Sequence, residues 1–164
     1  MTTSPGPDSP PSTSAAASAA GSAADPADIV VRFLRALAAF DVDGALDLVD
    51  EDIEYINVSL PTIYGRERIA RIARPWLRPG RMGFNVHFNH VAVEDNVVLT
   101  DRVDELNFGR FAARFWVYGR FVVNDEGKIA VWRDSFDWLD VTIGNLRGLA
   151  GLVSPSLNRQ MPPD

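Results

Sequence analysis

The sequence predicts an α+β fold: a strongly curved, mixed, mostly antiparallel sheet closed over N-terminal helices as a cone. Three observations predict it. Up to Trp76 the apolar residues recur at helical spacing. From Met82 the pattern changes to period two and stays there over long runs. Those runs are separated only by short turns, Asp95-Asn96, Gly109-Arg110 and Asn124 to Gly127, as in an antiparallel meander. A cone has a mouth, and concave sites of that kind favour small ligands.

The elements follow in order. Asp25-Pro26 starts a helix, with Asp as the N-cap and Pro at the first helical position. Ile29, Val30, Phe33, Leu34 and Leu37 give it an apolar stripe. A shorter helix runs from Val42 to Val49 behind Asp41. Ile53 to Val58 reads as a strand, which Leu60-Pro61 breaks. Tyr64-Gly65 leads into a third helix, Arg66 to Trp76, with Ile69, Ile72, Ala73 and Trp76 on one face; Pro75 ends or kinks it, and Pro79-Gly80 turns the chain. Four strands come next: Met82 to Glu94, Val97 to Phe108, Phe111 to Val123 and Lys128 to Asp137, with Asn96 as the positive-φ residue of the first turn. Val141 to Leu152 reads as a weak, glycine-containing helix that packs on something, a second subunit being one choice. Residues 26–153 thus form a single domain, and residues 154–164 a C-terminal tail.

Residues 1–25 are compositionally different, dominated by Ser, Ala, Pro, Thr and Gly. Such a segment buries too little apolar surface to offset chain entropy, so it reads as a disordered tail. It lacks the basic start and leucine-rich middle of a secretory signal, which points to a cytoplasmic protein. A net charge of −6 with no basic run argues against nucleic acid as the partner. No apolar stretch reaches the roughly 18 residues of a membrane span. With no cysteine, thiolate chemistry is excluded; two histidines leave little for a transition metal, and no cofactor is called for. His87 and His90 lie three apart, on opposite faces of a regular strand, so they do not share a metal.

The functional signal is a set of charges among apolar strand residues. Arg102 and Asp104 share a strand face with Val98, Leu106 and Phe108. Asp134 falls in phase with Ala130, Trp132, Phe136 and Trp138. Charges there are costly unless paired, and one arginine between two aspartates is such a pairing. On spacing alone the trio reads either as a buried ion-pair network or as an acid and a base held close together. Tyr55 and Asn57 project to one face with Ile53, and between them supply a hydroxyl, a donor and an acceptor. Asp101 and Asp137 fall on the opposite faces and read as solvated charges or ion pairs. The aromatics Phe84, Phe88, Phe111, Phe115, Trp116 and Phe121 read mostly as core, with a few at the pocket wall.

At Arg102-Val103-Asp104 and Trp132-Arg133-Asp134 the chain resembles the limonene-1,2-epoxide hydrolase family. Tyr55-Ile56-Asn57, Leu60-Pro61 and Tyr64-Gly65-Arg66 add to the match, which runs from about Ala27 to Asp140. The resemblance implies a cone of the nuclear-transport-factor-2-like type, a homodimer, and one-step hydrolysis of an apolar epoxide to a vicinal diol without a covalent intermediate. Residue by residue it implies Asp134 as general base, Tyr55 and Asn57 as holders of the water, Asp104 as general acid and Arg102 as the bridge. Two other readings fit a cone. One is an isomerase or cyclase acting on a carbonyl substrate, which has no need for an arginine between two aspartates. The other is a non-catalytic lipid-binding module, which has no need for polar residues deep in the cavity.

Overall fold

In a computed structural model, which describes residues 25–162, helices precede one six-stranded sheet. The N-terminal segment expected to be a tail lies, apart from Asp25, outside the described residues. The elements are α1 (Pro26–Ala38), α2 (Val42–Leu46), β1 (Val49–Asn57), β2 (Ile63–Tyr64), α3 (Arg66–Trp76), β3 (Gly83–Glu94), β4 (Val97–Phe108), β5 (Phe111–Val123), β6 (Ile129–Ser135) and α4 (Trp138–Val153), followed by a 3-10 turn at Pro155–Leu157. The sheet order is β2-β1-β6-β5-β4-β3. All pairs are antiparallel except β1 with β6, so the sheet is mixed; it is curved and does not close.

Local chemistry explains most of the boundaries. The Asp25 carboxylate accepts a hydrogen bond from the Ala27 amide at 3.0 Å and Pro26 opens the helix, as capping requires. The stripe Ile29, Val30, Phe33 and Leu34 is buried against the sheet, where Phe33 meets Phe121 and Trp132 edge-on. α2 is shorter than its sequence suggests: it stops at Leu46, and Val49 is already the first buried residue of β1. The acidic residues Asp50, Glu51 and Asp52 follow Val49 and obscure the strand alternation there. Tyr64, read as part of the lead-in to the third helix, joins Ile63 in a short edge strand against Glu54 and Tyr55. α3 ends at Trp76, one residue past Pro75.

Two details of the meander differ from a regular alternation. The tight turn between β3 and β4 places Asp95, rather than Asn96, in the left-handed region, at φ 53°. In β3 the register slips between Phe88 and His90, since Phe88 pairs with Arg102 and His90 with Asp101. Asn89 is the extra residue of a bulge. His87 pairs with Val103 and His90 with Asp101, so the two histidines share the outer face instead of opposing each other. Among the described residues no group of three or more His, Cys, Asp or Glu side chains could hold a metal ion.

α4 begins earlier than its apolar pattern suggests, because Asp137 is its N-cap and accepts from the Leu139 amide at 2.7 Å. The helix lies along the first half of β5, which β6 leaves unpaired. Gly144 and Gly148 face the carbonyls of Arg114 and Ala112 so closely that a Cβ at either would collide with them. The Asp140 carboxylate accepts from the Trp116 amide at 2.9 Å. Residues 154–162 continue across this edge: Asn158 donates to the Ala112 carbonyl at 2.9 Å, and Arg159 pairs with Asp140 at 2.9 Å while lying over the Trp116 ring. The Asp140 and Asn158 side chains thereby satisfy strand-edge groups that a neighbouring strand would otherwise pair. No helix among the described residues is long and apolar enough to cross a membrane.

Candidate active site

The site is built from the centre of the sheet. On β4 the strand period puts Thr100, Arg102 and Asp104 on the concave face in successive positions. On β1 it does the same for Ile53, Tyr55 and Asn57. The parallel pairing of β1 with β6 then sets Tyr55 beside Trp132 and Asn57 beside Asp134. The Tyr55 and Trp132 rings stack with centroids 4.0 Å apart, which fixes the phenol. Asn57 Nδ2 donates to the Tyr55 hydroxyl oxygen at 2.6 Å. That leaves the hydroxyl proton and the Asn57 carbonyl oxygen for a ligand.

Arg102 is fully buried and ties the two aspartates together. Its Nε donates to Asp104 Oδ1 at 2.9 Å and its Nη2 to Asp104 Oδ2 at 3.2 Å. The same Nη2 lies 2.7 Å from Asp134 Oδ1, close enough for an ion pair but not aligned as a hydrogen bond. Nη1 donates to Thr100 Oγ1 at 2.9 Å. Both carboxylates are buried beside the guanidinium. All five residues singled out in the sequence (Tyr55, Asn57, Arg102, Asp104 and Asp134) therefore converge.

Two further residues were missed. Thr100 holds Nη1, and Gly119 of β5 lies between β4 and β6, paired with Thr100 on one side and Asp134 on the other. A Cβ at Gly119 would overlap Arg102 Nη1 and Thr100 Oγ1. The sequence carried a signal, because a glycine inside a strand marks a bulge or a close approach.

Electrostatics follows from burial. Desolvation pushes the Asp104 carboxyl up to about 6, with help from Asp134 and against the pull of Arg102. Burial also raises Asp134, again opposed by Arg102. For Arg102 burial acts downward, but Asp134 and Asp104 outweigh it and hold the guanidinium charged. Burial, with Asp134 nearby, raises the Tyr55 phenol, so it stays neutral. One cation facing two carboxylates in a dry site favours keeping a single proton on the pair, which makes the cluster neutral.

The cavity above this cluster holds about 600 Å³, within the range that encloses a drug-sized ligand. Asp104, Asp134, Tyr55 and Asn57 contribute polar groups to its wall, and Asn145 of α4 adds another. The rest is apolar: Phe33 and Leu37 of α1, Ile69 and Trp76 of α3, Phe84, Phe111 and Phe115 of the sheet, and Trp138 of α4. Of the aromatics read as mainly core, Phe121 is buried, whereas Trp116 stands exposed on the outer face. Arg102 lies behind the carboxylates rather than at the wall.

A curved mixed sheet with helices over its concave face and a polar cluster at the cavity floor defines a nuclear-transport-factor-2-like protein with a ligand site. The comparisons agree. An NTF2-like protein of unknown function from Cytophaga hutchinsonii aligns with a TM-score of 0.56 at 18% identity, over 72% of this chain and 95% of that one, a likeness of fold alone. A solved structure of an LEH-like epoxide hydrolase of Mycobacterium tuberculosis aligns with a TM-score of 0.77 at 39% identity, over 83% of this chain and 95% of that one. Epoxide hydrolase EphG of Mycobacterium tuberculosis (strain ATCC 25618 / H37Rv) is 41% identical over 128 residues, 78% of this chain and 84% of that protein. The model of the limonene-1,2-epoxide hydrolase catalytic domain matches residues 24–147. The chain belongs to the limonene-1,2-epoxide hydrolase family and is an epoxide hydrolase of that type.

Proposed function

We propose that the chain converts an apolar epoxide and water to a vicinal diol in one step, by general acid and base catalysis. The observation that carries this reading is the single buried guanidinium shared by two carboxylates at the floor of an apolar cavity. A strained ring opens readily only if its oxygen gains a proton, and water attacks readily only if it loses one. Two carboxylates with one proton between them can do both. Asp134, next to Asn57 and Tyr55, is the base. A water there donates one hydrogen to Asp134 and one to the Asn57 carbonyl oxygen, and accepts from the Tyr55 hydroxyl. Its remaining lone pair faces the cavity. The gain is positional.

Asp104 is the acid. As the water oxygen bonds to carbon, the ring C–O bond breaks and the ring oxygen takes the Asp104 proton, while Asp134 takes one from water. A proton then passes from Asp134 to Asp104 before the next turnover. A carboxyl near 6 suits this role, since a proton donor works best with a pKa close to the operating pH. The apolar wall accounts for the class of substrate. The reading brings a homodimer with it, and the exposed Leu99, Trp116 and Tyr118 on the outer sheet face supply apolar area for a second copy.

A single turnover in isotopically labelled water, with enzyme in excess, tests the mechanism. The expected diol carries one solvent oxygen, and the quenched protein carries no adduct on Asp134 or Asp104. An unlabelled first diol, or an ester on either aspartate, would mean a covalent route instead.

A further inference from the structure

We propose that Thr100 and Gly119 are positioning residues for the reaction: Gly119 leaves the space that the Arg102 guanidinium crosses, and Thr100 fixes its rotation. This rests on the acid–base reading above and extends it to two residues that touch no substrate.

Reach is the first requirement. Arg102 belongs to β4 and Asp134 to β6, so β5 lies between them. The residue of β5 paired with Asp134 is Gly119, and the residue of β4 paired with Gly119 is Thr100. Thr100, Gly119, Asp134 and Asn57 therefore form one row across four strands. Arg102 starts in the next row, paired with Val117, and its head leans into the Gly119 position. Any side chain there would sit where Nη1 and Thr100 Oγ1 now meet. The glycine is thus the opening through which one cation serves carboxylates on two strands that are not neighbours.

Rotation is the second requirement. A guanidinium is a planar fork, so turning it about its long axis trades one set of contacts for another. Nε and Nη2 must both point along Asp104, and Nη2 must also stay near Asp134. Nη1 is the remaining arm, and the buried Thr100 hydroxyl takes it at 2.9 Å. Without that acceptor a buried charged N–H has no partner there, and the fork gains by turning to find one. The Nη2 contact with Asp134 would suffer first, since it is the one off line.

Thr100→Val keeps the shape and removes the acceptor; Thr100→Ser keeps the acceptor. Diol formation and the titration of the Asp104 carboxyl, followed by carbon NMR, are measured in wild type and both variants. In Thr100→Val, kcat is expected to fall on the order of tenfold or more with KM little changed, the pattern of a lost orienting contact. The Asp104 titration should move up from about 6, because a loosened Arg102 pulls it down less. Thr100→Ser should restore both. Gly119→Ala should show the same shift more strongly if it folds, and the threonine pair decides the matter if it does not. A Thr100→Val enzyme with wild-type kcat and an unmoved titration would overturn the positioning role, as would failure of Ser to rescue. If wild type forms its diol through an ester on an aspartate, yet kcat and the titration change in Val and return in Ser, positioning stands and the one-step acid–base reading falls.

Discussion

Replacing Asp104 with asparagine should separate catalysis from stability. A carboxyl that ordinarily ionises near 3.8 does so at about 6 in the folded protein, because it is buried and faces Asp134. The folded state therefore holds the proton more tightly than the unfolded chain. The stabilisation from this binding is fully present below the unfolded pKa and is lost as pH rises through about 6. Two pH units at about 1.4 kcal/mol each give about 3 kcal/mol. Asparagine does not ionise, so the variant escapes that loss. The stability of Asp104→Asn minus that of wild type should rise by up to about 3 kcal/mol between pH 4 and pH 7.5. Any fixed cost of the substitution, such as a weaker grip on Arg102, shifts the whole curve without changing its slope. Urea melts across this range measure the difference directly. Diol formation should meanwhile fall on the order of 10² to 10⁴. A difference flat in pH would refute the raised carboxyl. Near-normal turnover in a folded variant would refute its role as the acid. In wild type the same carboxyl should make turnover decline as pH rises above about 6, since the acid must be protonated.

Arg102→Lys should lose most activity despite keeping the charge, because an ammonium cannot grip Asp104 through two nitrogens and still reach Asp134; turnover equal to wild type would disprove the bridge. Asp140→Ala should cost about 1–3 kcal/mol in urea melts, by leaving the Trp116 amide and Arg159 without their acceptor, and should loosen α4 at the cavity rim. Faster amide exchange confined to α4 and the end of the chain would mark that loosening; an unchanged exchange pattern would show that the edge is held by other contacts.

The outer face carries a third buried carboxylate with a different fate. Glu105 is held low despite its burial, since Asn85, Arg114 and Asn107 all donate to it. Glu105 is adjacent to Asp104 in sequence but lies on the other side of the sheet, among donors instead of beside another acid. Composition cannot distinguish the two; only their neighbours do.

The sequence alone determined which residues share a face, because strand alternation and helical periodicity are local rules. It was enough to put Arg102 with Asp104 and Tyr55 with Asn57, to start α1 at Asp25-Pro26, and to find the long strands β4 and β5 with their ends in place. Where alternation breaks, the local rule gave a wrong face, as at the β3 bulge that brings His87 and His90 to one side. Tertiary structure decided which faces meet. That β1 runs parallel to β6, that Asn57 therefore stands beside Asp134, and that Gly119 opens a path between β4 and β6 are matters of pairing between distant segments, which no local period encodes. Ionisation belongs to the same level, because the pKa of Asp104 depends on how dry its surroundings are and how near Asp134 and Arg102 stand, and those are properties of the packed molecule.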